Sequence, residues 1–193
     1  MNEGNNRAAD LSGLNMPTHD SVYWFVMRDL KRPNAKLPAY KRLAEIGFEV
    51  FTPMRWHIAT RGGKRTREQV PFLPDLLFVH TERDLLDPIV EETDTLQYRY
   101  IRGGYRKPMI IADKEMERFI RAVSSVEAPR YYLPGEITPA MYGHKIRIIG
   151  GPLDGCEGQL LKIRGSRVKR LIIEIPGLIV ASVEIAPEYI QML

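Results

Sequence analysis

Cysteine is almost missing from this chain. Cys156 is the only one, so no internal disulfide can form, and the composition fits a reducing, cytoplasmic compartment. Long apolar runs are missing too: no stretch approaches the ~20 residues of a membrane span, so no membrane association is expected. The four histidines, His19, His57, His80 and His144, are scattered and leave Cys156 without a partner at metal-ligand spacing. No phosphate loop, dinucleotide fingerprint or nucleophile elbow occurs, so no catalytic residue, cofactor or metal is expected, and the chain does not read as an enzyme. Charge of one sign is lacking as well. With 28 Lys and Arg against 24 Asp and Glu, the net charge of +4 allows an acidic partner without demanding one, so where the cations sit matters more than their number.

What is present is a chain of 193 residues and 44% hydrophobic content, enough to bury the cores of two small domains. Residues 1–20, rich in Asn, Gly and Asp, are expected to form a disordered tail. Tyr23-Trp24-Phe25-Val26-Met27 opens the first domain, 21–126, as a central strand. Leu37, Tyr40, Leu43 and Ala44 then recur at helical spacing, with the helix starting near Pro38 and stopping at Gly47.

A strand is predicted over 48–58, and Glu68 to His80 is predicted to return as its partner. Between them the Gly62-Gly63 tip carries Arg61, Lys64, Arg65 and Arg67. That basic tip fits a solubilising edge or an arm reaching nucleic acid. The prolines in Val70-Pro71-Phe72-Leu73-Pro74-Asp75-Leu76-Leu77-Phe78-Val79 point to an edge or a bend. A short helix follows over 81–92, where Pro88 leaves the start open. Tyr98 to Arg102 turns at Gly103-Gly104 toward Lys107 to Ile111, and Asp113 is expected to cap a helix carrying Met116, Phe119, Ile120 and Val123. This order predicts an α+β fold, a sandwich with a mainly antiparallel sheet.

Residues 127–139, with three prolines, read as a linker. Beyond them, strands predicted at 145–149, 159–163, 170–175 and 178–185 make 140–193 a small SH3-like β-barrel. Its first hairpin is the most patterned stretch of the chain. Ile146 and Ile148 alternate with Lys145 and Arg147, then Gly150, Gly151, Pro152, Gly155 and Gly158 crowd a tight turn before Gln159 to Ile163.

That strand, turn and strand, with Gly151, Pro152, Gly155 and Gly158 in the turn, resembles the KOW motif. Trp24-Phe25-Val26, the basic segment Gly63-Lys64-Arg65-Thr66 and the Pro-interrupted strand ending Leu76-Leu77-Phe78-Val79 resemble the N-terminal domain of NusG-like transcription factors. The domain order over residues 21–193 is similar to that family's, and to its specialised RfaH and UpxY paralogues in particular.

The resemblance implies a transcription elongation and antitermination factor. It would dock on the RNA polymerase β′ clamp helices and suppress pausing or termination, on particular operons such as those for surface polysaccharides. It implies polymerase contacts at Met27, Arg28, Leu73, Leu76, Phe78 and Tyr100; an ordinary core residue is the alternative for each of these anchors, and for Phe78 core and contact fit equally. For the non-template DNA strand it implies Lys31, Arg32, Lys36, Lys41 and Arg42 near the first helix, with Lys64 and Arg65 on the hairpin. A solvated helix face is the competing explanation of the first five. The KOW domain would reach the ribosome or Rho, although Pro176-Gly177-Leu178 stands where the family has Phe-Gly-Arg. A monomer is expected. The KOW motif taken alone also fits a ribosome-associated or RNA-binding protein with no polymerase role.

Overall fold

The computed structural model describes residues 21–32 and 35–193; the expected disordered tail, 1–20, lies outside the described residues. Strand β1 (Val22–Asp29) is central because it is apolar on both faces. Its alternation sends Trp24 and Val26 to one side of the sheet and Phe25 and Met27 to the other, and all four are buried. β5 (Leu76–Glu82) pairs with it antiparallel, placing Met27 opposite Leu77 and Val26 opposite Phe78. β2 (Glu49–Phe51) lies on the far edge of β5, and β6 (Leu96–Tyr98) and β7 (Ile110–Ile111) share the other edge of β1.

Helices close both faces. α1 (Ala39–Glu45) and α2 (Arg83–Glu91) cover Phe25, Met27, Leu77 and Val79 with Leu43 and Leu86. α3 (Asp113–Ser124) covers Trp24, Val26, Leu76 and Phe78 with Met116 and Phe119. Every strand pair among the described residues is antiparallel, so the α+β expectation for this part stands.

Proline redraws several expected boundaries. The strand predicted over 48–58 is two, β2 and β3 (Met54–Arg61), parted at Thr52-Pro53. The return strand is likewise split into β4 (Lys64–Pro71) and β5 by the bend Phe72 to Asp75. A proline carries no N–H for the ladder, so each break falls where one sits. The β3–β4 hairpin therefore leaves the sheet as a separate two-stranded arm. α2 instead keeps Pro88 inside it and begins at Arg83. Its buried face, led by Leu86, offsets an interior proline that costs about 3 kcal/mol. Asp113 does not cap α3 either; Ala112 holds that position with extended backbone, and Asp113 sits in the first turn, where its charge suits the helix dipole.

The second sheet runs β13-β9-β10-β11-β12-β8. It comprises β8 (Arg130–Tyr132), β9 (Tyr142–Ile148), β10 (Glu157–Leu161), β11 (Arg170–Ile175), β12 (Ile179–Glu184) and β13 (Ile190–Met192). The stretch expected as a linker thus supplies a strand. Residues 130–132 pair with β12, and Ile137 is buried against Leu161, Ile172 and Val180. β13 had no counterpart among the predicted strands; Ile190 to Met192 is too short for alternation to show, and its pairing with β9 defines it.

Helix α3 serves both sheets. It packs on β1 and also on β11 and β12, so Phe119 and Met116 belong to the same apolar cluster as Ile173, Ile175 and Ala181. At the helix's outer edge an Arg121 Nη2 donates to Cys156 Sγ at 2.6 Å and reaches the Asp154 carbonyl at 3.4 Å.

Candidate functional site

Of the expected docking residues, Met27, Arg28, Leu73, Leu76 and Phe78 gather at the end of β1 and β5 where the Pro-interrupted bend emerges, whereas Tyr100 lies beyond β6, bridged to Pro108, and they do not share one fate. Met27, Leu76 and Phe78 are interior, each under 2% exposed. Phe78 stands 6.2 Å from the ring of Phe51, which in turn meets Phe119 edge-on. In this arrangement those three support the surface rather than form it. Arg28 and Tyr100 are exposed and Leu73 is half-buried. Arg28 pairs with Asp75 at 3.7 Å, and the Leu73 carbonyl accepts from the Leu76 N–H, so Arg28 and Leu73 stand at the same end of the sheet.

Residues 127–131 lie across the neighbouring hairpin. Phe72 packs on Tyr131 with ring centres 5.4 Å apart, Trp56 Nε1 donates to the Glu127 carbonyl, and Arg67 pairs with Glu127 at 3.0 Å. Burial pushes the Tyr131 phenol up to about 12. The Phe72 face that meets Tyr131 is therefore occupied by this segment.

The expected nucleic-acid residues divide more sharply. Lys31, Arg32 and Lys41 line one cleft of about 350 Å3 together with Arg61, Glu68 and Gln69 from the hairpin. Asp29 builds its floor: the buried carboxylate accepts the Ala39 N–H at 2.6 Å and the Lys31 N–H at 3.0 Å, which fixes the start of α1 against β1. Pro38 at the helix cap has no side chain able to do this. Sequence alone did not single out Asp29, because its cap partner is ten residues away and not the usual two or three.

The other cations sit elsewhere. Lys36 is exposed outside that cleft, Arg42 Nη1 is tied to Thr93 Oγ1 at 3.0 Å, and Lys64 and Arg65 stand at the hairpin tip. The tip itself is as expected, with Gly62 and Gly63 both at positive φ.

The glycine-rich turn of the second sheet has two kinds of glycine. Gly151 and Gly155 hold positive φ and Pro152 sits beside them in the turn. Gly158 does not belong with these as a turn residue: a Cβ there would lie 2.7 Å from the Ile172 carbonyl, so it admits close approach of β11 to β10. Glu157 next to it is held below the usual carboxylate range by hydrogen bonding to and attraction from Arg147. A cleft of about 560 Å3 separates this turn from α3 and is lined by Lys114, Arg118, Arg121, Cys156 and Glu157.

The cations of a second basic arm have no counterpart among the expected sites, although Tyr100 at its base was expected as a polymerase contact. Between β6 and β7 the chain folds back on itself at Arg102 to Arg106, with Tyr98 anchoring its base. Burial, and then the hydrogen bond to Asp87, push the Tyr98 phenol well above its ordinary value. The available signal was the interleaving of Arg99, Arg102, Arg106 and Lys107 with Tyr98, Tyr100 and Tyr105.

Among the described residues no group of His, Cys, Asp and Glu could hold a metal ion, and no helix is long and apolar enough to cross a membrane. A family model described as "Transcription termination factor nusG" matches residues 22–120, the span from β1 into α3. Among solved structures, "Domain interaction in Thermotoga maritima NusG" aligns at 19% identity with a TM-score of 0.43, covering 89% of this chain and 97% of that one. No curated protein matches the chain.

Proposed function

The chain belongs to the NusG family of transcription factors, and from that premise we propose that it binds RNA polymerase and suppresses pausing or termination on particular operons. The observation that carries this reading is the family match itself, which runs through the sheet, the basic hairpin and most of α3 and covers just over half of the chain. The docking surface in this reading is the end of the sheet around Arg28 and Leu73, presented to the clamp helices of the β′ subunit, with Tyr100 a separate contact at the base of the 99–107 arm. Met27, Leu76 and Phe78 hold it from beneath. A few apolar anchors suffice for such an interface, since a small cluster usually carries most of the binding energy.

In the same reading the cleft of Lys31, Arg32 and Lys41 takes the phosphates of the non-template DNA strand. Lys36, Arg42, Lys64 and Arg65 act as outlying contacts. The second sheet is a KOW module of the SH3-like kind that recruits the ribosome or Rho, with 21–126 and 140–193 as the two domains and residues 127–139 joining them while lending strand 130–132 to the second sheet. RfaH- and UpxY-like specialisation on surface-polysaccharide operons fits the cations near the first helix as base readers, with the hairpin cations holding phosphates.

Two measurements test this. Immobilised β′ clamp helices should retain the full chain and lose Leu73→Asp by at least tenfold, with the circular dichroism of that variant unchanged; retention at native strength removes Leu73 as an anchor. Leu76→Asp and Phe78→Asp are unsuitable here, because a carboxylate at either position destabilises the core itself. Transcription in vitro across a terminator should show increased read-through with the protein, and more on a template carrying the leader of its own operon than on one without. Equal read-through with and without protein on both templates rules the function out.

A further inference from the structure

We propose that the arm between β6 and β7, residues 99–107, is a binding platform for single-stranded nucleic acid, with Tyr105 stacking on a base and Arg102, Arg106 and Lys107 holding the flanking phosphates. The arm is built, not loose. Its two sides are joined by the Tyr100 and Pro108 bridge, by the Ile101 N–H to the Lys107 carbonyl at 3.0 Å and by the Met109 N–H to the Arg99 carbonyl at 2.7 Å. The Gly104 N–H closes the tip onto the Ile101 carbonyl at 3.0 Å.

At that tip Tyr105 is 90% exposed, far more than any other large hydrophobic residue described. Leaving a ring of that size in water costs apolar burial, and a base face recovers it. Arg106 beside it is the one non-glycine residue among those described with a positive φ, 47°, and its guanidinium carbon lies 5.7 Å from the Tyr105 ring centre. Backbone held in that region is unusual for a side-chain-bearing residue and tends to mark working positions.

Charge selects the class of partner. Residues 97–112 contain four cations, Arg99, Arg102, Arg106 and Lys107, and no Asp or Glu. None of the four makes an ion pair among the described residues. An acidic peptide would satisfy the cations but offers no π face to Tyr105. A duplex offers phosphates but keeps its base faces stacked. Single strands offer both, and stacking on aromatic rings flanked by cations is how sequence-tolerant single-strand sites bind.

The inference is independent of the polymerase reading and needs no polymerase to test. Fluorescence anisotropy of the full chain would be measured against a labelled mixed-sequence 12-nucleotide DNA strand, the same sequence as duplex, and an oligoglutamate competitor. The native protein is expected to prefer the single strand to the duplex. Tyr105→Ala should weaken single-strand binding about tenfold and erase that preference, whereas Tyr105→Phe stays within about twofold of native. Arg102→Gln with Arg106→Gln should weaken it about tenfold and flatten the salt dependence by about 0.7 for each phosphate that is no longer neutralised.

Three results overturn the proposal. One is Tyr105→Ala binding within twofold of native. Another is loss of binding in Lys31→Ala with Lys41→Ala while the arm variants keep native affinity, which returns all binding to the α1 cleft. The third is oligoglutamate of equal charge displacing the strand as well as unlabelled DNA does, which assigns the arm to an acidic protein.

Discussion

Two basic arms leave the same sheet, and they differ in what their cations already touch. On the β3–β4 hairpin Arg61 is 3.5 Å from Glu68, Arg67 pairs with Glu127, and the Arg67 guanidinium lies 4.0 Å over the Trp56 ring. Among the described residues Lys64 and Arg65 at the tip have no ion pair, and the hairpin's Trp56 ring, 37% exposed, carries Arg67 over one face. On the 99–107 arm no cation makes an ion pair among the described residues, and the tip Tyr105 is 90% exposed, with Arg106 at the looser distance of 5.7 Å from its ring. A count of Lys and Arg ranks the hairpin at least as high. Pairing reverses the ranking, because a cation engaged with a carboxylate must give that pair up before it can neutralise a phosphate. The hairpin tip suits phosphates alone, which position a nucleic acid without reading it, and the other arm can also engage bases.

The largest effect expected is one that removes both arms together. Phe78→Ala takes a fully buried ring from the strand next to β1, and the cavity should cost about 3–5 kcal/mol, read as a drop in the urea midpoint with an unchanged slope. If one arm still binds nucleic acid after global unfolding by far-UV circular dichroism, the two do not depend on the common sheet. Next comes the separation of their roles. Lys64→Gln with Arg65→Gln should lower the affinity for single strands and duplex alike, by about tenfold or less at low salt, with a shallower salt slope and no change in preference between them. A selective loss on single strands would assign base recognition to the hairpin instead.

Smaller is the effect of freeing the face of the Trp56 ring that lies under Arg67. Arg67→Ala removes an exposed ion pair and a cation–π interaction, for a combined loss of about 1 kcal/mol or less in unfolding experiments. The same variant should raise Trp56 fluorescence quenching by acrylamide; unchanged quenching would mean that Arg67 does not cover the ring in solution. The smallest effect concerns the second sheet, where no arm projects. With its folded-state pKa below the ordinary value of 4.5, Glu157 contributes stability that is complete above that value and fades as pH falls through the depressed one. Arg147→Ala should move the Glu157 titration, followed by NMR, back up toward the ordinary range, and a titration that stays put would refute the pairing.

Much of this was legible from local pattern. Phe25 and Met27 alternating with Trp24 and Val26 identify a strand covered on both sides, and the double glycine at 62 and 63 fixes a hairpin. The break at Pro53 was missed because Phe48 to Ile58 looks continuous by hydrophobicity alone, and only a ladder lacking one N–H parts it. Residues 130–132 read as linker for the opposite reason: three residues cannot show alternation, and their strand exists only through pairing with β12. For the docking residues, Leu73 and Leu76 are alike in sequence, yet one is half-buried and the other interior.

By itself the sequence determined the class of fold, the two β-rich regions, the basic hairpin and the family resemblance, because each depends on residues close together in the chain. Only the tertiary structure decided which cations are already paired, that α3 is shared between the two sheets, and that Asp29 anchors a helix ten residues on. Those outcomes depend on distances between parts of the chain far apart in number, and no local periodicity encodes such distances.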